Sequence, residues 1–206
     1  MRTFVTGIST DVGKTIATGI IAKDLYSKDK STITMKLVQT GCKTKISEDI
    51  LTHRKIMGIS LTKEDEDGLT CPYVFKYPSS PHLAAELEEK VIFIEHINEC
   101  INKVSSLYNN ILIEGVGGLY VPLNKDVTVL DWLIENPMPV IVVTTPALGS
   151  INHTLLTIET LLAKEISVVK IIYNLHFREN DLICKSTFEY LKERYKNIPI
   201  VSIESI

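Results

Sequence analysis

A doubly wound α/β fold, with a mostly parallel sheet flanked by helices, follows from two observations on the 206-residue sequence. Ile111-Leu112-Ile113 and Val140-Ile141-Val142-Val143 are near-continuous apolar runs, not alternating ones, so both faces of those strands are expected to be covered. Helical patterns, among them residues 151–163 and 182–195, lie between the runs, and strands separated by helices pair in parallel through right-handed crossovers.

The elements follow in order. Residues 3–6 are short and apolar and stop at Gly7, the pattern of a buried strand; residues 14–27 then carry Ile16, Ile20, Ile21 and Leu25 at near-helical spacing. Further strands are expected over 32–38, 111–113, 140–144, 168–173 and 200–203. Lys63-Glu64-Asp65-Glu66-Asp67-Gly68 is a charge run and reads as a solvated connecting loop. No internal repeat or low-complexity tract divides the chain, so residues 1–206 are expected to form a single domain.

Composition narrows the function. A hydrophobic content of 45% supports a core without disulfide or metal staples. The 22 basic and 25 acidic residues give a formal charge of -3, which lacks the positive field of nucleic-acid or anionic-membrane binders. Cys42, Cys71, Cys100 and Cys184 form no CxxC pair, and the five histidines show no zinc-type spacing; reduced thiols and ordinary histidines are expected. No apolar stretch approaches the ~20 residues of a membrane span. Met1-Arg2 leads directly into the first strand without a signal-peptide pattern, so the expected compartment is the cytoplasm.

Gly7-Ile8-Ser9-Thr10-Asp11-Val12-Gly13-Lys14-Thr15 lies between the first strand and the first helix, the context that a nucleoside-triphosphate phosphate loop requires. Its main-chain N–H groups and the positive helix end can surround phosphate oxygens, Lys14 adds a charge, Thr15 offers a hydroxyl to Mg²⁺, and Gly13 permits close approach. Five residues separate the two glycines where the common pattern has four, leaving Ile8 at the usual first-glycine position. The bland alternative is a glycine turn with an incidental Gly-Lys-Thr.

Ligands of open parallel sheets bind beyond the carboxyl ends of the strands, so polar residues there carry weight. Lys36 ends the second strand before Gln39-Thr40-Gly41; Glu114 ends the third before Gly115-Val116-Gly117-Gly118; Asn174 ends a later one. Glu114 is the candidate Mg²⁺ carboxylate. Asp49 either caps the helix it begins or reaches the metal. Lys36 is either a solvent-facing lysine or a clamp for developing negative charge. In Pro78-Ser79-Ser80-Pro81-His82 the histidine reads more as a helix-start residue than as a catalyst. Gly149-Ser150-Ile151-Asn152 opens a helix that either binds a carboxylate or is simply capped by Ser150.

Together these stretches resemble the dethiobiotin synthetase family. The carriers are residues 7–15 with their five-residue gap, Lys36 with Thr40-Gly41, Asp49, Ser80-Pro81-His82, residues 114–118, residues 148–157 and Asn174. The resemblance implies a P-loop NTPase-like fold. It also implies ATP-dependent carboxylation and ring closure of 7,8-diaminononanoate with CO₂, through a carbamate and a carbamic-phosphoric anhydride, releasing ADP and phosphate. It implies nucleotide contacts from Thr10, Asp11, Val12, Gly13, Lys14, Thr15, Ile16, Asp49, Glu114, Gly115, Val116, Gly117 and Asn174, the last reading the adenine. Thr15, Asp49 and Glu114 would arrange Mg²⁺, and Lys36 and Lys14 would be catalytic. Lys36, Thr40, Pro81, Gly149, Ser150 and Asn152 would contact substrate, the last three across a homodimer. Leu37 and Val116 depart from the family's usual proline and small residue. The family commonly continues past a Gly-x-Ile-Pro stretch that helps to enclose the base, whereas this sequence closes with Val201-Ser202-Ile203-Glu204-Ser205-Ile206.

Rival readings are a cobyrinic-acid-type amide synthetase, which usually carries a glutamine amidotransferase domain that 206 residues cannot hold, and a partitioning-type ATPase or nucleotide switch acting on a protein partner. Partitioning ATPases usually carry an early loop lysine where Ser9 stands. Asn124-Lys125-Asp126-Val127 lacks the final aspartate of a guanine-reading motif.

Overall fold

The computed structural model describes residues 1–178 and 180–204. Six strands form the sheet: β1 (Arg2–Gly7), β2 (Thr32–Lys36), β3 (Asn110–Glu114), β4 (Val140–Thr144), β5 (Val168–Asn174) and β6 (Ile200–Ile203). All pair in parallel, in the spatial order β2-β3-β1-β4-β5-β6. The expected doubly wound sheet is the one observed.

Side chains alternate between two cores. Phe4, Ile111, Ile113, Val140 and Val142 join one face, packed by α5 (Ile94–Leu107), α6 (Val129–Glu135), α7 (Ser150–Ala163) and α8 (Asp181–Arg194). Val5, Leu112, Ile141, Val143 and Ile172 join the other, against Ala17 and Ala22 of α1 (Lys14–Lys28) and Met57 of α2 (Glu48–Met57). A strand with a core on each face has no position to give to water, which explains the unbroken apolar runs. Among the described residues no helix is long and apolar enough to cross a membrane.

Two expectations need correction. The second strand ends at Lys36, not at residue 38. Leu37 N–H still reaches the Glu114 carbonyl at 3.0 Å, but Gln39 has turned away to pair with residues 73–75. The charge run is not a solvated loop either. Its first four residues form the short helix α3 (Lys63–Glu66), and Asp65 turns inward, 3% exposed, with the Arg54 fork on both carboxylate oxygens at 2.7 and 2.8 Å. Thr70 Oγ1 and Thr62 N–H also donate to that carboxylate. An acid is tolerated in the interior when its lone pairs are filled this way.

The remaining helix, α4 (Pro81–Leu87), follows the hydroxyl-rich loop. The β1 crossover leaves towards β2 and the β3 crossover towards β4. The adjacent carboxyl ends of β1 and β3 therefore flank the crevice where a doubly wound sheet binds its ligand.

Candidate active site

The turn from β1 into α1 is shaped by two left-handed residues, Asp11 (φ 57°) and Gly13 (φ 88°). Alternating left- and right-handed backbone aims successive N–H groups into one concavity, which suits an anion. Gly13 is required twice over. Its φ penalises a side chain, and a Cβ there would lie 2.1 Å from Asn174 Nδ2. Asn174 braces the loop from the end of β5, donating from Nδ2 to the Val12 carbonyl (3.0 Å) and accepting from His176 N–H (3.1 Å). Lys14 folds back into the loop, its Nζ donating to the Ser9 carbonyl at 2.9 Å.

Register brings the next two residues together. Lys36 and Glu114 are direct partners where β2 and β3 pair. Lys36 Nζ donates to Glu114 Oε1 (2.9 Å), the Gly115 carbonyl (3.0 Å) and Asp49 Oδ2 (2.7 Å), which uses all three ammonium protons. Glu114 Oε1 also accepts from Thr15 Oγ1 at 3.1 Å, and Oε2 lies 2.8 Å from His53 Nε2. Asp49 is not the cap of its helix. Ser47 fills that position by accepting from Ile50 N–H, which leaves the Asp49 carboxylate to reach Lys36. Gln39 supports the arrangement, its Oε1 accepting from Ser47 Oγ (2.6 Å) and Asp49 N–H (3.3 Å). Lys36 is therefore a buried residue and not a solvent-facing strand end.

The two lysines differ in charge balance. Burial and then the neighbouring Lys36 charge pull Lys14 down to about 8. Burial also acts against Lys36, but the charges of Glu114 and Asp49 overcome it and hold Lys36 above the ordinary lysine value. Burial pushes the Glu114 carboxyl up, while the Lys36 charge and the His53 hydrogen bond outweigh it and hold the group at about 2. The cluster thus sets paired charges at the mouth of a turn shaped to suit an anion.

These groups line a cleft of about 540 Å³. A family model described as an AAA domain matches residues 1–202. The ATP-dependent dethiobiotin synthetase BioD 2 of Pasteurella multocida is 52% identical over 189 residues, covering 92% of this chain and 88% of that protein. Its counterpart from Haemophilus ducreyi is 48% identical over 193 residues, covering 94% and 91%. This chain belongs to the ATP-dependent dethiobiotin synthetase family. The fold reaches beyond the dethiobiotin synthetases. A ParA family ATPase from Chlorobium tepidum superposes with a TM-score of 0.54 at 18% identity, covering 100% of this chain and 84% of that one. In the MinC:MinD cell division complex of Aquifex aeolicus, the matching chain gives a TM-score of 0.56 at 18% identity, covering 98% and 81%.

The cleft of this dethiobiotin synthetase family member gathers most of the residues expected from sequence. Thr10, Asp11, Gly13, Lys14, Thr15, Ile16, Lys36, Thr40, Asp49, Glu114, Val116, Gly117 and Asn174 all line it. Val12 and Gly115 act from behind the lining through their carbonyls, one held by Asn174 and the other holding Lys36. Pro81, Gly149, Ser150 and Asn152 lie outside that lining. At the start of α7 the cap is Gly149 (φ 90°), so Ser150 is not the N-cap; it is the first helical residue, and its buried Oγ has no partner. His82 is the second residue of α4, half-buried.

Sequence reasoning missed Gln39, His53, His176 and Phe177. His53 carried a usable signal, because it stands four residues after Asp49 and so shares its helix face. His176 and Phe177 line the cleft from a 3-10 turn directly after Asn174, which no periodic pattern announces.

Proposed function

We propose that this chain catalyses the ATP-dependent carboxylation and ring closure of 7,8-diaminononanoate with CO₂, giving dethiobiotin, ADP and phosphate. The observation that supports it most is the position of Lys36, a buried ammonium at the strand tips, held between Glu114 and Asp49 beside the Gly13 turn.

One substrate amine bonds to the carbon of CO₂ and loses a proton, giving a carbamate. A carbamate oxygen then bonds to the γ-phosphorus as the bond to the β–γ bridging oxygen breaks, the electron pair leaving with ADP. The second amine attacks the carbonyl carbon of the resulting anhydride, the carbon–oxygen bond to phosphate breaks, and the nitrogen gives up a proton as the ring closes. In this scheme Lys14 and the loop amides hold the polyphosphate, and Lys36 stabilises negative charge on the carbamate and on the transferring phosphoryl group. Thr40 and Pro81 contact the diamine, and Asn174 faces the base.

Thr15, Asp49 and Glu114 are the hard oxygen donors that would hold Mg²⁺. Their fit follows from the donor set: the Thr15 hydroxyl and the Glu114 carboxylate are 3.1 Å apart, with Asp49 joined to them through Lys36. Among the described residues no three His, Cys, Asp or Glu side chains form a metal cage. A magnesium ion bound with a nucleotide needs only one or two carboxylates, the rest being phosphate and water. When bound, such an ion neutralises charge on the β- and γ-phosphates. A homodimer belongs to the same proposal, with Gly149, Ser150 and Asn152 of one copy approaching the diamine held by the other.

The test is ATP turnover measured with and without diaminononanoate and bicarbonate, with dethiobiotin followed by mass spectrometry. Turnover should require both. Equal ATP hydrolysis without either would overturn the proposal in favour of a nucleotide switch.

A further inference from the structure

We infer that His53 is a positioning residue for Glu114, fixing the carboxylate from behind so that its other oxygen faces Thr15, Lys36 and the cleft. The inference rests on the proposed role of Glu114 as a ligand to a nucleotide-bound divalent cation.

His53 is wholly buried, on the inner face of α2. Asp49 and His53 are four residues apart on that helix, so one rigid element delivers a carboxylate to Lys36 and an imidazole to Glu114. Behind His53 runs a chain of buried hydrogen bonds that ends in the charge run. Asp65 grips the Arg54 fork; Arg54 Nη1 donates to Thr34 Oγ1 at 2.7 Å, and Nη2 to the Thr34 carbonyl at 3.2 Å.

This chain assigns the imidazole tautomer. Glu114 is an ionised carboxylate and can only accept, so the His53 Nε2 beside its Oε2 is the donor, which in the neutral ring leaves Nδ1 to accept from Thr34 Oγ1, 3.0 Å away. The ring proton thus sits on Nε2, donated to Glu114 Oε2 at 2.8 Å. A histidine kept only for packing would need none of this. Burying an imidazole and a carboxylate without partners is costly, and here every polar atom of His53, Thr34 and Arg54 that faces the chain is used.

The consequence is directional. With Oε2 tied to His53, Glu114 cannot swing to offer both oxygens to Lys36. Oε1 stays at the cleft beside the Thr15 hydroxyl, where a cation ligand belongs. Hydrogen-bonded supports behind ligating groups generally set affinity by about 10- to 100-fold.

The test compares His53→Gln, whose amide N–H can replace Nε2–H, with His53→Leu, which keeps apolar bulk and loses the donor. Mn²⁺ binding in the presence of ADP is measured by electron paramagnetic resonance, with circular dichroism as the check on folding. His53→Leu should bind Mn²⁺ about 10-fold or more weakly, His53→Gln should stay close to the unsubstituted protein, and kcat should fall while KM for the diamine holds. Unchanged Mn²⁺ affinity in a folded His53→Leu would overturn the inference, as would a loss in His53→Gln as large as in His53→Leu. If His53→Leu does not fold, the imidazole ¹⁵N spectrum of the unsubstituted protein decides. A proton on Nε2, whose signal moves when Mg²⁺ and ADP are added, is the expected result, and a proton on Nδ1 with Nε2 bare overturns it. Absence of Mn²⁺ binding by the unsubstituted protein with ADP would instead remove the cation role of Glu114, and this inference with it.

Discussion

Replacing Lys36 with methionine removes the charge at the centre of the cluster while keeping most of the bulk. Lys36 is 5% exposed, and loss of its ammonium leaves the wholly buried Glu114 facing Asp49 with no cation between them. Breaking a buried pair from one side costs about 3–5 kcal/mol. A second route gives a similar figure. The Glu114 carboxyl sits at about 2 against an ordinary 4.5, because the Lys36 charge and the His53 hydrogen bond outweigh burial. At 1.36 kcal/mol for each tenfold change in proton affinity, that is roughly 3 kcal/mol of stability at neutral pH. Since the folded-state value is depressed, this stability is present in full above about 4.5 and is lost as pH falls towards about 2. The variant lacks the Lys36 share of it. Urea unfolding followed by circular dichroism should therefore separate the two proteins most at pH 7 and bring them together progressively as pH falls from 4.5 towards about 2. Adding Glu114→Gln to Lys36→Met should recover much of the loss, because the unpaired charge goes with it. A Lys36→Met protein that unfolds at the unsubstituted urea midpoint at pH 7, or a double variant that regains nothing, would refute the argument.

Four further outcomes follow from the same geometry. A polyphosphate raises the depressed Lys14 value of about 8, so nucleotide affinity should fall about tenfold per pH unit above that point; titration calorimetry between pH 7 and 9.5 reads it, and a flat profile counts against the role of Lys14. Lys14→Ala should remove this slope and damage affinity and turnover together, whereas Lys36→Ala should lower turnover by about 100-fold or more with a smaller effect on affinity. Asp65→Asn strands Arg54 in the interior and should cost about 3 kcal/mol or more, while Glu66→Gln, one residue along on the exposed side, should stay within about 0.5 kcal/mol; equal costs in urea would restore the solvated-loop interpretation. Gly13→Ala should abolish nucleotide binding measured by fluorescence titration, because Asn174 must leave the loop carbonyl to admit a methyl group; retained affinity would show that the turn tolerates another shape.

The fold was legible because the signals for it are local. Unbroken apolar runs such as residues 140–143 report two covered faces, and the Gly7 turn reports a strand meeting a helix. Charge positions were harder to read. Lys36 and Glu114 stand 78 positions apart and meet only through the register of β2 on β3, which no single segment contains. The charge run misled for a related reason. Lys63, Glu66 and Asp67 do face water, as such runs usually do, but Asp65 answers to Arg54 on another helix, and a partner eleven residues away leaves no mark on local composition. The residues at the α7 start were legible as a helix opening, and they lie outside the lining of the cleft.

The two lysines of the cleft enter any reaction differently. Lys14 gives one hydrogen bond to a carbonyl and stands beside another cation, so an anion placed in the loop adds to what it has. Lys36 has no proton to spare, so its contact with a transferring group is an exchange, and one partner must be given up. Asp49 is the partner suited to leave. Its side chain is 22% exposed against 1% for Glu114, so water can replace Lys36 at its carboxylate, whereas Glu114 is also tied to His53 and Thr15. Asp49→Asn should accordingly cost less stability in urea at pH 7 than Glu114→Gln, while still lowering turnover. The reverse order would mean that Asp49 anchors Lys36 and that Glu114 is the partner that moves.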